Sequence, residues 1–296
     1  MSSERPYRLK AGEPLPEGIV RIAHGRIDHA LDELRGKSDS TAEEAVHEAR
    51  KDLKKLRALL RMARGELGED TFRRENACFR DAGRELAGVR DSDVMLETLG
   101  ALELPAGMEG ELRETIQAHR AAGGGDGRRT AAAGVVAMLR EARGRVNGWP
   151  LERDSFDALR DGLERTHRRG RRDLRAARAD PTVEALHEWR KRAKDLWYQQ
   201  TLLRALWPPV MQAVGDEAHE LANRLGDDHD LAMLADWVRE HAEAEPEFFE
   251  AVQRRRSELQ GEAIALGERL YADRPGAYVR RLRGLWKASQ ASVRAP

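Results

Sequence analysis

Between Pro16 and Pro105 the chain runs without a proline, and through that stretch leucines and alanines recur three and four residues apart among charged residues. Proline in a helix interior costs about 3 kcal/mol, so its absence combined with this period predicts a series of α-helices. Strand signals are nearly missing: aromatic residues make up 5% of the chain, β-branched runs are short, and no alternating apolar and polar segment is bounded by hairpin turns. An all-α fold follows. Glycines and prolines place the breaks at Gly65 to Asp70, Gly100 to Gly110, Gly123 to Gly127, Gly144 to Pro150, Asp180-Pro181, Trp207-Pro208-Pro209 and Glu245-Pro246. Helices are then expected over about Gly18–Arg35, Thr41–Arg64, Asp70–Leu86, Ser92–Leu99, Gly110–Ala122 and Arg128–Arg143, with a similar set after residue 148.

A chain of 296 residues can bury a sizeable core as one large domain or two ordinary ones. Its mean hydropathy of −0.71 is polar for a globular protein, yet 40% hydrophobic residues are too many for a disordered one. The single cysteine, Cys78, excludes a disulfide framework and a Cys-rich zinc site, suits a reducing compartment, and is expected in the core. The longest uncharged apolar run, Ala131 to Leu139, is too short to span a bilayer, and Met1 to Gly18 carries charges and prolines where a signal peptide needs an apolar stretch. A cytoplasmic protein with no membrane partner is the expectation. Basic and acidic residues number 52 each, so function turns on where charges lie and not on their sum.

The chain also repeats itself. His47-Glu48-Ala49-Arg50-Lys51-Asp52-Leu53-Lys54 is answered 140 residues later by His187-Glu188-Trp189-Arg190-Lys191-Arg192-Ala193-Lys194, matching His, Glu, Arg, Lys and Lys without a gap. Leu86-Ala87-Gly88-Val89-Arg90-Asp91 is answered 139 residues later by Leu225-Gly226-Asp227-Asp228-His229-Asp230. Solenoid units run roughly 20 to 50 residues, so this longer period predicts a duplicated helical bundle. The expected organisation is a flexible tail over 1–17, one bundle over 18–148 and a second over 149–296, related by a pseudo-twofold axis that sets equivalent helices opposite one another.

At about 100° per residue, Val46, Ala49, Leu53, Leu56 and Leu60 form one stripe of the first motif helix, and His47, Arg50, Lys51, Lys54, Arg57 and Arg61 form a separate face. In the second copy Leu186, Trp189, Ala193 and Leu196 take the stripe, with His187, Arg190, Lys191, Lys194 and Tyr198 on the other face. The acids of these helices, Asp52 and Asp195 among them, lie mostly off the centre of the basic face. Like charges three and four residues apart repel by a few tenths of a kcal/mol per pair, so such a face gains from an anion that neutralises it. Arg165, Arg168, Arg169, Arg171, Arg172, Arg175 and Arg178 precede the second motif helix with few intervening acids, and are expected to continue the same surface.

A duplicated His-x-x-Arg-Lys-x-x-Lys helix with a downstream Leu-Gly-x-x-(Arg/His)-Asp resembles the conserved histidine α-helical domain, the CHAD family, over about Gly18 to Ser292. The second copy is the more typical; in the first, Ala87 stands where the family usually has glycine, a departure expected to touch helix termination more than ligand chemistry. The resemblance implies two four-helix bundles about a pseudo-twofold axis and a basic central surface that binds inorganic polyphosphate at polyphosphate granules, with no cofactor and no catalysis. Its site would comprise the basic-face residues named above with Arg90, Arg165, Arg168, Arg169, Arg172, Tyr198 and His229. Physical chemistry agrees: polyphosphate offers about one charge per phosphate and no base edges, so it calls for aligned cations, with arginine forking onto two oxygens and lysine adding a mobile charge.

Other readings of the same residues remain. Arg90-Asp91 and His229-Asp230 are either phosphate contacts or helix-start pairs whose aspartate caps the helix or bridges to a motif arginine. His229-Asp230, with Asp227, Asp228 and His187, is also similar to the His-Asp doublet of metal-dependent phosphohydrolases, although Arg90 stands in the first copy and arginine does not ligate a metal. RNA or DNA is the third candidate partner, disfavoured by the lack of a zinc motif, interleaved exposed aromatics or a base-reading helix. The six tryptophans, all at or after Trp149, are expected in the core or at interfaces.

Overall fold

The computed structural model describes residues 6–86, 91–105, 107–122 and 127–294. Among these the chain forms eleven α-helices, one short 3-10 turn and no strand, so the all-α expectation holds. The helices are α1 (Leu15–Leu34), α2 (Ala42–Met62), α3 (Arg64–Glu85), α4 (Asp91–Gly100), α5 (Met108–Ala122) and α6 (Gly127–Val146). There follow α7 (Asp157–Ala179), α8 (Val183–Leu202), the 3-10 turn Arg204–Leu206, α9 (Pro208–His241), α10 (Pro246–Leu270) and α11 (Pro275–Arg294).

Local chemistry sets the starts of the two motif helices, α2 and α8. Thr41 makes a capping box with Glu44, its hydroxyl accepting from the Glu44 N–H at 3.3 Å while its own N–H donates to the Glu44 carboxylate at 2.7 Å. Thr182 caps α8 by accepting from the Ala185 N–H at 3.2 Å. The expected break near Gly65 to Asp70 is a kink inside α3 at Gly68, where φ is 70°. Prolines occupy the first turns of α9 and α10, where a missing N–H costs nothing.

The stretch expected as a flexible tail is instead tied down from Tyr7 onward. Tyr7 and Leu9 are both buried, the Tyr7 hydroxyl donates to the Lys55 carbonyl at 2.9 Å, and the Leu9 N–H donates to the Leu202 carbonyl at 3.0 Å. Both side chains join the larger core cluster, and their burial outweighs the charges around them.

Packing follows the same order in both halves. α1 lies on α2, α2 on α3 and α1 on α6; α7 lies on α8, α8 on α9 and α7 on α11. The hydrophobic clusters, however, do not divide at residue 148. The larger draws on α1, α2, α3 and α6 together with α7, α8, the first half of α9 and α11. The smaller sets Leu99, Leu112 and Ile116 of α4 and α5 against Leu234, Val238 and Phe248 of α9 and α10. The two motif helices touch each other at the centre, and α7 crosses the end of α2.

That crossing depends on Gly162. A Cβ there would lie 2.1 Å from the Met62 carbonyl oxygen and 2.5 Å from that of Arg61, backbone atoms that cannot swing aside. Gly162→Ala is expected to destabilise the fold by about 2 kcal/mol or more, despite alanine's better helix propensity. Gly261, in α10 with no atom within 4 Å of such a Cβ, is the control, and Gly261→Ala should be neutral or stabilising in the same urea titration.

Candidate functional site

Both apolar stripes are buried, with Leu53, Leu56 and Leu60 in α2 and Leu186, Trp189, Ala193 and Leu196 in α8 at 2% exposure or less; only Val46 is half-exposed. This leaves the two basic faces outside the core on helices that touch each other. Lys194, half-buried on α8, has its ammonium within electrostatic reach of Arg190 on its own helix and of Lys54 and Arg50 on α2. Burial first, then Arg190 and Lys54, push its pKa down to about 7, against the pull of Asp230 on α9. The structure thus brings Arg50, Lys54, Arg190 and Lys194 together from both copies. Lys51 and Lys191 flank them, each held by the glutamate one turn earlier, Glu48 at 2.7 Å and Glu188 respectively.

Arg190 is fixed in place. Its Nε donates to the Ala222 carbonyl at 3.3 Å, and its guanidinium lies over Gly226, where a Cβ would be 2.5 Å from Nη2. Gly226 lies inside the 34-residue α9, where its missing side chain makes room for the Arg190 guanidinium. His229-Asp230 is likewise mid-helix and caps nothing. Asp91 belongs to α4, while Arg90 and Ala87 lie outside the described residues.

The histidines gather beside Arg190. The His187 and His229 rings are 4.8 Å apart, and the Nδ1 of each is buried without a hydrogen-bond partner. Burial above all, then Lys191, His229 and Arg190, push His187 down to about 4; burial and Arg190 also lower His229. His47 is half-buried on α2. His219, which the sequence pattern does not mark, stacks on Trp197 at 3.8 Å and is lowered by burial and by Lys194. Tyr198, expected on the basic face, is 4% exposed and sits beneath it, edge-on to Tyr7 at 6.0 Å and stacked on Trp197 at 4.7 Å. An aromatic ring next to a basic stripe is read as surface by a helical wheel, which does not see Tyr7 arrive to cover it.

Toward α7 the cations close around buried carboxylates. Asp195, 1% exposed, pairs with Arg61 of α2 and, at 3.0 Å, with Arg192. Arg57 donates to Asn76 at 3.1 Å, and burial with Arg61 alongside pushes it down to about 10. Arg169 reaches the same group, lowered by burial and by Arg192 and Arg172, the last bound to Asp173 at 2.7 Å. The α7 arginines do not form one surface as expected. They spread over about half the circumference of α7. Arg169 lies toward Arg192, while Arg171 donates to the carbonyls of Ala272 and Asp273 at 2.8 and 2.7 Å, Arg178 pairs with Glu268 at 2.6 Å and Arg168 with Glu164 at 2.5 Å.

Arg192, Asp173, Arg26 and His29 are the site's supports that the motif did not name. Asp52, 1% exposed, is held by Arg26 at 3.0 Å and His29 at 2.6 Å. The available signal was a pair of opposite charges one turn apart on the flank of each apolar stripe, Asp52 with Lys55 and Arg192 with Asp195. Asp228 is turned to α10, bound by Arg256 at 3.0 Å and Gln260 at 2.7 Å, and so does not join His187. Among the described residues no three His, Cys, Asp or Glu side chains converge on a metal position. Cys78 is half-buried against the larger core cluster, and of the tryptophans Trp207 is 50% exposed.

A family model described as the CHAD domain matches residues 21–239. Among solved structures, the crystal structure of the CHAD domain from the plant Ricinus communis matches with a TM-score of 0.61 at 20% identity, covering 97% of this chain and 98% of that one, a likeness of fold. No curated protein matches the chain.

His167, His187, His219 and His229 all titrate below histidine's usual 6.5 in the folded chain, each mainly through burial. The unfolded chain therefore takes up protons first as pH falls, and stability is expected to decline from about pH 6.5 toward pH 4. His29, raised by its bond to Asp52, opposes this; its contribution is present below about 6.5 and fades as pH rises through its folded pKa. Urea titrations across that range should show a shallower decline in His187→Gln, by on the order of 1 kcal/mol or less given the solvent on its open side. An unchanged slope would contradict the assignment.

Proposed function

The chain belongs to the CHAD family, and we propose that it binds inorganic polyphosphate along the basin between α2 and α8. The observation that carries this is the gathering of Arg50 and Lys54 from one motif helix and Arg190 from the other around Lys194. Four cations from two helices facing one space repel one another when it is empty, and a linear polyanion removes that repulsion along its length. Arg190, held over Gly226, offers a fixed fork, and Lys54 adds an exposed charge. Arg57, Arg61, Arg169 and Arg172 extend the track toward α7, already half-committed to Asp195 and Asp173.

The chain acts here as a binder, located at polyphosphate granules, and not as a phosphohydrolase. Phosphate release from polyphosphate with Mg²⁺ or Mn²⁺, abolished by a chelator, would contradict that. Among the described residues no helix is long and apolar enough to cross a membrane. Competition of polyphosphate against RNA at fixed salt separates the two polyanions.

If both copies line one site, Arg50→Ala with Lys54→Ala should weaken binding about as much as Arg190→Ala with Lys194→Ala, at roughly 1.5 to 3 kcal/mol per charge-assisted contact. Neutralising roughly 6 to 10 phosphates should give a slope of several units of log K per log salt, on the scale established for nucleic acids. A slope near zero, or a loss confined to one pair, overturns the two-sided basin.

A bound polyanion favours the charged forms of Lys194, His187 and His229, so binding takes up protons and affinity should rise as pH falls from about 8 to about 6. Lys194, poised at about 7, titrates in the middle of that range. Lys194→Arg keeps the charge at every pH and should flatten the curve by raising affinity at its alkaline end. His47→Gln with His187→Gln should remove a smaller part. Superimposable curves for all three proteins would show that neither lysine nor histidines couple to the ligand.

A further inference from the structure

We propose that Lys194 is a site of covalent acylation by acyl phosphates, small anions whose phosphate docks on the surrounding cations while the lysine amine takes their acyl group. The proposal rests on the anion-binding reading of the basin and adds a reaction to it.

The chain has eight lysines, and their surroundings differ. Lys51 and Lys191 are held by Glu48 and Glu188, Lys37 by Asp32 at 3.5 Å, and Lys55 by the buried Asp52 at 3.7 Å. Each carboxylate engages its ammonium, although burial still lowers Lys55 against the pull of Asp52. Among the described residues Lys194 has no such ion pair. Its charged neighbours are Arg190 on α8, Lys54 and Arg50 on α2, and Asp230 on α9, with the His219 ring beside it. Cations outnumber the carboxylate, and the side chain is half-buried, so the neutral amine is favoured while the stem stays open to the basin. With a pKa of about 7, about half of Lys194 is the free base at neutral pH, against roughly one part in a thousand for an ordinary lysine.

The same cations supply the second requirement. An acyl phosphate carries its charge on the leaving group, so Arg50 or Arg190 can hold the phosphate beside the amine. The Lys194 nitrogen attacks the acyl carbon, a C–N bond forms, and the bond from that carbon to the bridging oxygen breaks. Inorganic phosphate leaves with the electron pair, and the amine proton passes to it or to water. The step needs no oxidant, reductant or metal. Its product is an amide with no charge, which removes one cation from the basin and lowers its hold on polyphosphate.

The test treats the whole protein at pH 7.5 with acetyl phosphate, and in parallel with the uncharged N-hydroxysuccinimidyl acetate, and follows acetylation of each lysine by peptide mass spectrometry. With acetyl phosphate, Lys194 should label at least about tenfold faster than the exposed Lys37 and Lys287, in line with its larger free-base fraction. Tripolyphosphate should suppress that labelling, and Arg190→Gln or, on the other helix, Arg50→Gln should slow it several-fold. Labelling of Lys194 no faster than of Lys37 and Lys287 overturns the proposal. Fast labelling by both reagents that tripolyphosphate does not suppress overturns it too, since the amine would then be reactive without a docked phosphate. Polyphosphate binding measured on the same preparation keeps the two readings apart: intact binding without selective acetylation defeats the acylation alone, and absent binding defeats the proposed function as well.

Discussion

The arrangement depends on a carboxylate that solvent does not reach. Asp195 is 1% exposed, and it ties Arg61 of one motif helix to Arg192 of the other. Two helices that each present a row of cations repel when set side by side, and the apolar stripes beneath them carry no preference for which charged faces meet. A buried anion between them supplies that preference. Leaving a buried charge unpaired costs about 3 to 5 kcal/mol, so the α2–α8 contact is held in the register that keeps Arg61 and Asp195 together. Asp52, buried at the same level, does the same for α1 and α2 through Arg26 and His29. Asp52 and Asp195 lie buried beneath the cations, while Asp230, Glu48 and Glu188 remain among them.

Much of this was legible in the sequence, and the boundary of what was legible has a physical cause. Helix positions, the two buried stripes and the basic faces follow from periodicity alone, because burial of an apolar stripe is a local property of the helix that carries it. The capping threonines and the helix-starting prolines are local too. What escaped was every feature requiring knowledge of what lies opposite. Asp52 and Asp195 stood on the flanks of their stripes as ordinary acids, and only the arrival of Arg26 and Arg61 from other helices makes them anchors. Tyr198 looked like part of the basic face until Tyr7 covered it. The α7 arginines formed a run in sequence, yet a helix distributes such a run around its circumference, and α7 sends Arg171 to carbonyls near the start of α11 while Arg169 faces Arg192.

The packing of α4 and α5 on α9 and α10 belongs to the same class. Nothing in the local period of Leu99 or Ile116 distinguishes a neighbour in the first half of the chain from one in the second. Interfaces in the two halves are of similar apolar character, so periodicity specifies that a helix must be covered without specifying by what.

The two copies are matched in sequence but divide the work unequally. In the second, Gly226 lets α9 run straight past Arg190, so the guanidinium is seated against a backbone and bonded to Ala222. The same passage brings Asp230 and His219 to Lys194, which is half-buried as a result, whereas its counterpart Lys54 is exposed. In the first copy α3 ends with its C-cap at Leu86. One copy therefore presents cations that are fixed and partly stripped of water, the other an exposed lysine. Desolvation weakens the charged state of Lys194 until a counter-ion arrives. The pair responds to pH through its buried member, Lys194.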